Sequence, residues 1–189
     1  MTSPYDDSIL RSLRRITRAI DLYSKQLASR HQLTGPQLVC LRALFRAEHM
    51  SPSDLSSQVS LSQATVTGIL DRLERRDLLS RQRSSKDRRR VELRLTPAGR
   101  KLAESAPMPL HQRFAQELAE LPDAEQAQID RILAQVVEMM EAEKLDAAPM
   151  LAAGPVDAEP AEVMDFLDPD TDKSCHNCNA PRHGINQKQ

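Results

Sequence analysis

Between positions 51 and 96 the chain reads SPSDLSSQVSLSQATVTGILDRLERRDLLSRQRSSKDRRRVELRLT. Few architectures accommodate that order of signals. Ser51-Pro52 starts a short helix to about position 59, with Leu55 and Val59 turned inward. Ser60-Leu61-Ser62-Gln63 fits a capping box, Ser followed three residues later by Gln, so a further helix is expected over about 61–76. Beyond Asp77, Val91, Leu93 and Leu95 alternate with Glu92 and Arg94, the period-two pattern of a half-buried strand, and 79–83 supplies its partner. The helix pair spans about 51–76 and the hairpin about 79–95.

Two helices joined by a brief turn present the second one to a DNA groove, and a basic hairpin beside them reaches the phosphates. Val66, Ile69, Leu70 and Leu73 hold that second helix to a core, which leaves Gln63, Ala64, Thr65, Thr67 and Gly68 outward near its start. Small polar side chains suit close approach to base edges: Gln pairs with adenine, and Thr offers a hydroxyl and a methyl. A helix kept soluble by Ser and Thr is the plainer reading, but it leaves unexplained why this face lacks Lys and Glu. Lys86, Arg88, Arg89 and Arg90 gather at or beside the hairpin tip, where phosphate and minor-groove contact is a better account than a merely solvated loop.

The formal net charge of -1 averages unlike regions. Positions 81–94 hold seven basic residues against Asp87 and Glu92, whereas 146–172 hold eight acidic residues and no Lys or Arg. Local charge governs an interface, so the whole-chain figure does not exclude nucleic acid. With aromatics at 3% and no Trp, the core must be aliphatic, which favours helix over sheet.

The first helix is expected over about 7–29, where Ile9, Leu13, Ile16, Ile20, Tyr23 and Leu27 recur in steps of four and three. That is the seam of a helix lying along a partner, or an ordinary core face. Thr34-Gly35-Pro36 opens a second helix with Leu38, Leu41, Leu44 and Phe45 inward, and Cys40 among them reads as a buried inert thiol. Thr96-Pro97 starts another helix, which Pro107 and Pro109 must bend or break. A last helix runs from Pro122-Asp123 to about 144, with Ile129, Leu133, Val136 and Met140 again at four-three spacing. Coiled-coil spacing at both ends of the domain points to a homodimer.

Residues 1–145 therefore form one domain, and 146–189, acidic and punctuated by Pro, are expected not to pack. This tail carries Cys175-x2-Cys178-x4-His183, three ligands with zinc-knuckle spacing, but Lys188 stands where the fourth would be. Zinc there would need His176 or a partner chain; a reversible disulfide or incidental cysteines are the other readings, and no other cofactor is implied. Polar, acidic residues at the start and the lack of a long apolar run point to a cytoplasmic chain with no membrane partner. No Ser-His-Asp set, phosphate-cradling glycine loop or paired carboxylate site stands out, so an enzyme is not expected; His31, His49 and His111 are scattered.

The run LSQATVTGILDRLERRDLLSRQRSSKDRRRVELRLTPAGRKL resembles the core of the MarR family of bacterial transcriptional regulators. Its most specific parts are Asp71-Arg72-Leu73-Glu74, Asp87-Arg88-Arg89 and Leu95-Thr96-Pro97-Ala98-Gly99, and the likeness extends over about 9–144. It implies a mainly α fold with a small β-wing, a winged helix-turn-helix dimerised through its N- and C-terminal helices. It also implies a partner, the double-stranded DNA of a pseudo-palindromic operator, and a small-molecule effector that releases a repressor from it. Ser62, Gln63, Ala64, Thr65 and Thr67 match the family's base-reading positions, Arg72 a phosphate-contacting one, and Arg89 the wing arginine of the minor groove. Where the family has Gly after the reading helix this chain has Asp77, which tolerates the same left-handed turn at slight cost. The competing class is a winged helix used for protein contact, which requires an apolar exposed face on the fourth helix.

Overall fold

The computed structural model describes residues 4–83, 91–144 and 150–168. Its elements run α1 (Asp6–His31), α2 (Gly35–Ala47), β1 (His49–Met50), α3 (Pro52–Val59), α4 (Gln63–Arg75), β2 (Leu79–Arg83), β3 (Val91–Leu95), α5 (Pro97–Ser105), α6 (Leu110–Ala119), α7 (Asp123–Met139) and α8 (Pro160–Leu167). The strands form one antiparallel sheet in the order β1-β3-β2. The mainly α winged helix-turn-helix expected from the sequence is present. Its third strand, β1, is too short to show any alternation in sequence; it exists because His49 and Met50 pair with Arg94 and Leu93.

α2 is the axis of the core. Leu38, Cys40, Leu41 and Leu44 are wholly buried there, and Leu27 of α1, Leu55 of α3, Ile69, Leu70 and Leu73 of α4, and Leu93 of β3 close around them. Burial desolvates the Cys40 thiol and pushes its pKa up to about 12, so it is neutral and unreactive at physiological pH. In β3 only Leu93 is fully inside; Val91, at the strand's outer end, is exposed.

The helix expected to begin at Pro97 is broken rather than bent by Pro107 and Pro109: α5 ends at Ser105 and α6 starts at Leu110. Arg42 holds the break, its Nη1 donating to the Ala106 carbonyl at 3.0 Å, and the Tyr23 hydroxyl donates to the Met108 carbonyl at 3.0 Å. Asp77 takes φ +54°, the left-handed turn anticipated for it. Glycine reaches that conformation without a Cβ penalty. Asp77→Gly should therefore add up to about 1 kcal/mol of stability, read as a higher urea midpoint, and a fall would show that the Asp side chain itself holds the turn.

The largest difference from the sequence-based expectation lies after the last long helix. Residues 150–168 pack instead of trailing away. Met150, Ala158 and Val163 are buried, α8 lies against α1, and the Ala153 amide donates to Ser24 Oγ at 2.8 Å. Composition pointed the other way because acidic residues and prolines recur along the segment with no Lys or Arg between them. A few apolar side chains spaced to meet one groove are enough to dock it. No helix among the described residues is long and apolar enough to cross a membrane.

Candidate nucleic-acid interface

The turn between α3 and α4 is built from backbone geometry. Ser60 adopts φ +55°, and the amides of Ser60 and Leu61 return to the carbonyls of Ser57 and Ser56. Ser56 Oγ donates to the Leu61 carbonyl at 2.6 Å and fixes the exit. Ser60 thus ends α3, and the capping box expected from Ser60 to Gln63 does not form. Ser62 caps α4 instead, its Oγ accepting from the Thr65 amide at 3.1 Å. The reading helix consequently begins at Gln63.

With Val66, Ile69, Leu70 and Leu73 inward, the hundred-degree step of a helix places Ala64, Gly68 and Arg75 opposite the core. Gln63, Thr67 and Asp71 fall on the flank towards the wing, and Thr65 and Arg72 on the other. Exposed Ser62, Gln63, Ala64 and Thr67 form a small, polar surface with no acidic residue in the first turn. A helix start of that kind favours an anion. It also lacks the apolar face that a protein-contact helix would need.

The hydroxyls on this face are engaged internally. Ser62 Oγ and Thr65 Oγ1 lie 2.8 Å apart, and Thr67 Oγ1 donates to the Gln63 carbonyl at 2.8 Å. Gln63 Nε2 makes only a 3.4 Å bond to Ser53 Oγ. Gln63 is therefore the side chain freest to turn towards a base edge.

Sequence reasoning missed what holds the wing to the reading helix. Arg81 on β2 donates Nη2 to Asp71 Oδ1 at 2.6 Å, pairs through Nη1 with Glu74 Oε2 at 3.1 Å, and its amide meets Glu74 Oε1 at 3.3 Å. Arg94 pairs with Glu92 at 3.2 Å. Two of the cations counted in the basic hairpin are thus neutralised within the fold. The available signal was Asp71 and Glu74, three apart on one helix face and ahead of an arginine strand.

Arg72 is also paired, with Nε 3.0 Å from Glu159 Oε1, and Arg75 Nη2 lies 3.5 Å from the same oxygen. Lys86, Arg88, Arg89 and Arg90, and Cys175, Cys178 and His183, lie outside the described residues.

A helical core centred on α2, a tight turn into an exposed polar helix and an antiparallel wing together define a winged helix-turn-helix protein of the DNA-binding class. The family model described as MarR family matches residues 33–91. Over that stretch the chain is similar to the MarR family. The HTH-type transcriptional regulator YsmB of Bacillus subtilis is 31% identical over 94 residues, which are 50% of this chain and 64% of YsmB. The homoprotocatechuate degradative operon repressor of Escherichia coli is 27% identical over 131 residues, 69% of this chain and 88% of the repressor. Among solved structures, an apo form of Lactococcus lactis ZitR superposes with a TM-score of 0.52 at 22% identity, covering 74% of this chain and 99% of ZitR, which is a likeness of fold.

Proposed function

We propose that the chain acts as a homodimeric, sequence-specific repressor whose α4 helices enter successive major grooves of a pseudo-palindromic operator. The observation that carries this reading is the small polar face of α4, free of acidic residues at its start and flanked by a wing locked to it through Arg81. The direction, repression, is supported by the resemblance to the Escherichia coli operon repressor across most of that protein's length. Gln63 and Ala64 read base edges, with Thr65 and Thr67 assisting once their internal bonds are exchanged. Ser62 caps the helix and presents its start to a phosphate. Lys86, Arg88, Arg89 and Arg90 supply wing contacts to the backbone and minor groove.

Dimerisation is supported by α6 and α7, which bury no residue of their own in the single chain. A small molecule settling between the dimer helices and the reading lobes would favour a lobe spacing unmatched to half-sites one helical turn apart. Operator release is the consequence.

Two variants separate reading from gripping. Gln63→Ala should cost about 1–3 kcal/mol at particular base pairs and little elsewhere. Arg89→Ala should weaken binding to all duplexes and flatten the salt slope by about one unit. Both are measured by fluorescence anisotropy across a series of operator mutants and salt concentrations. Equal loss on random DNA for Gln63→Ala, or an unchanged slope for Arg89→Ala, would overturn the respective assignment.

A further inference from the structure

Residues 150–168 reach the flank of α4 as well as α1. Val156 and Asp157 line a hollow of about 440 Å³ together with Ala64, Thr65, Gly68 and Arg72. Two residues later Glu159 takes the Arg72 guanidinium at 3.0 Å and approaches Arg75 at 3.5 Å. The segment carries Asp157, Glu159, Glu162, Asp165 and Asp168 and no Lys or Arg. Its anchors are spread along its length: Met150, Ala158 and Val163 are buried, and Lys25 pairs with Asp168. Ala152 sits so close over Gly35 that a Cβ there would fall 2.7 Å from the Ala152 Cβ.

We infer that this segment is an acidic strap that occupies the flank of the reading helix and competes with DNA for it. The inference rests on the reading of α4 as the helix that contacts DNA. Two physical effects act together. The Glu159 carboxylate offers Arg72 the charge-assisted contact that a phosphate oxygen would make, so the two exclude each other. The backbone around Val156 and Asp157 adds width to one side of α4. A major groove of about 12 Å admits a helix of about 10–12 Å with its side chains and has no room for a second chain segment beside it. DNA therefore binds only the population in which the strap has left α4, and apparent affinity falls by that fraction.

The test compares full-length wild type with Glu159→Gln, Gly35→Ala and Asp165→Asn. Binding to a fluorescein-labelled random-sequence duplex of about 30 base pairs, long enough for two half-sites, is followed at low ionic strength. Glu159→Gln removes the competing carboxylate. Gly35→Ala displaces the strap by contact with Ala152 and leaves the net charge unchanged. Asp165→Asn, exposed on the same helix, controls for the loss of one negative charge. Glu159→Gln and Gly35→Ala should each tighten binding about three- to ten-fold, with Asp165→Asn within about two-fold of wild type. Binding that persists in all four proteins with no gain in Glu159→Gln, or a gain there without one in Gly35→Ala, removes the strap and leaves the DNA reading intact. Failure of all four to bind any duplex removes both. Hydrogen exchange gives a further criterion: saturating duplex should speed exchange of the α8 amides in wild type, and unchanged protection overturns the competition.

Discussion

Gly99→Ala should cost more than a methyl added at any other described glycine, on the order of 4 kcal/mol or complete loss of the folded domain. A Cβ at Gly99 would lie 1.8 Å from the Leu78 carbonyl oxygen and 2.8 Å from its carbon, both backbone atoms. Side chains turn aside from such an overlap; this backbone cannot. The Leu78 carbonyl accepts from the Thr96 amide at 3.1 Å, and the Leu78 amide bonds the Leu73 carbonyl at 3.0 Å, so moving it disrupts the exit of α4 and the entry of α5 together. Thr96 Oγ1 adds bonds to the Asp77 carbonyl at 2.6 Å and from the Gly99 amide at 3.1 Å. Loss of that cap alone, in Thr96→Ala, should cost only about 1–2 kcal/mol. Urea denaturation of the two variants checks the ordering; a Gly99→Ala protein as stable as Thr96→Ala would mean that α5 can slide away from Leu78.

The second large effect concerns assembly. Leu133→Glu should convert the protein to monomers and lower operator affinity by about 100-fold or more, because each lobe then binds without its tethered twin. Ile132, Leu133, Val137, Met139 and Met140 on α7, Phe114 on α6, and Ile9 and Ile16 on α1 are exposed in the single chain. So many exposed apolar side chains are rarely left to water, and in the proposed dimer an isologous contact between two copies covers them. A carboxylate within that proposed contact would be buried unpaired, a penalty that association cannot offset. Sedimentation equilibrium reads the outcome directly. A Leu133→Glu dimer would place the interface elsewhere.

The fit of the Leu95-to-Gly99 run to this structure shows why a motif can be read before its reason is known. Thr96-Pro97 announces a helix start within four residues. The reason for Gly at position 99 lies at Leu78, across the wing. The same division applies to the site. That Val66, Ile69, Leu70 and Leu73 face inward, leaving Gln63, Ala64 and Thr67 outward, follows from helical periodicity alone. That Ser62 rather than Ser60 caps the helix depended on which serine the α3 exit left extended, and the two candidates stand only two residues apart.

By itself the sequence determined α1 to α5 and α7, the turn between α3 and α4, the paired strands β2 and β3, and the left-handed residue at Asp77. Each of these is encoded in periodicity, capping and backbone preference over a few consecutive positions. Only the tertiary structure decided that Arg81 joins the wing to Asp71 and Glu74, that β1 completes the sheet, and that Glu159 finds Arg72 across nearly half of the chain. A carboxylate and a guanidinium carry no label for each other in sequence. Their pairing is settled by where the packed aliphatic core brings their backbones, and in this protein it brings an acidic strap onto the helix that the periodicity had left facing outward.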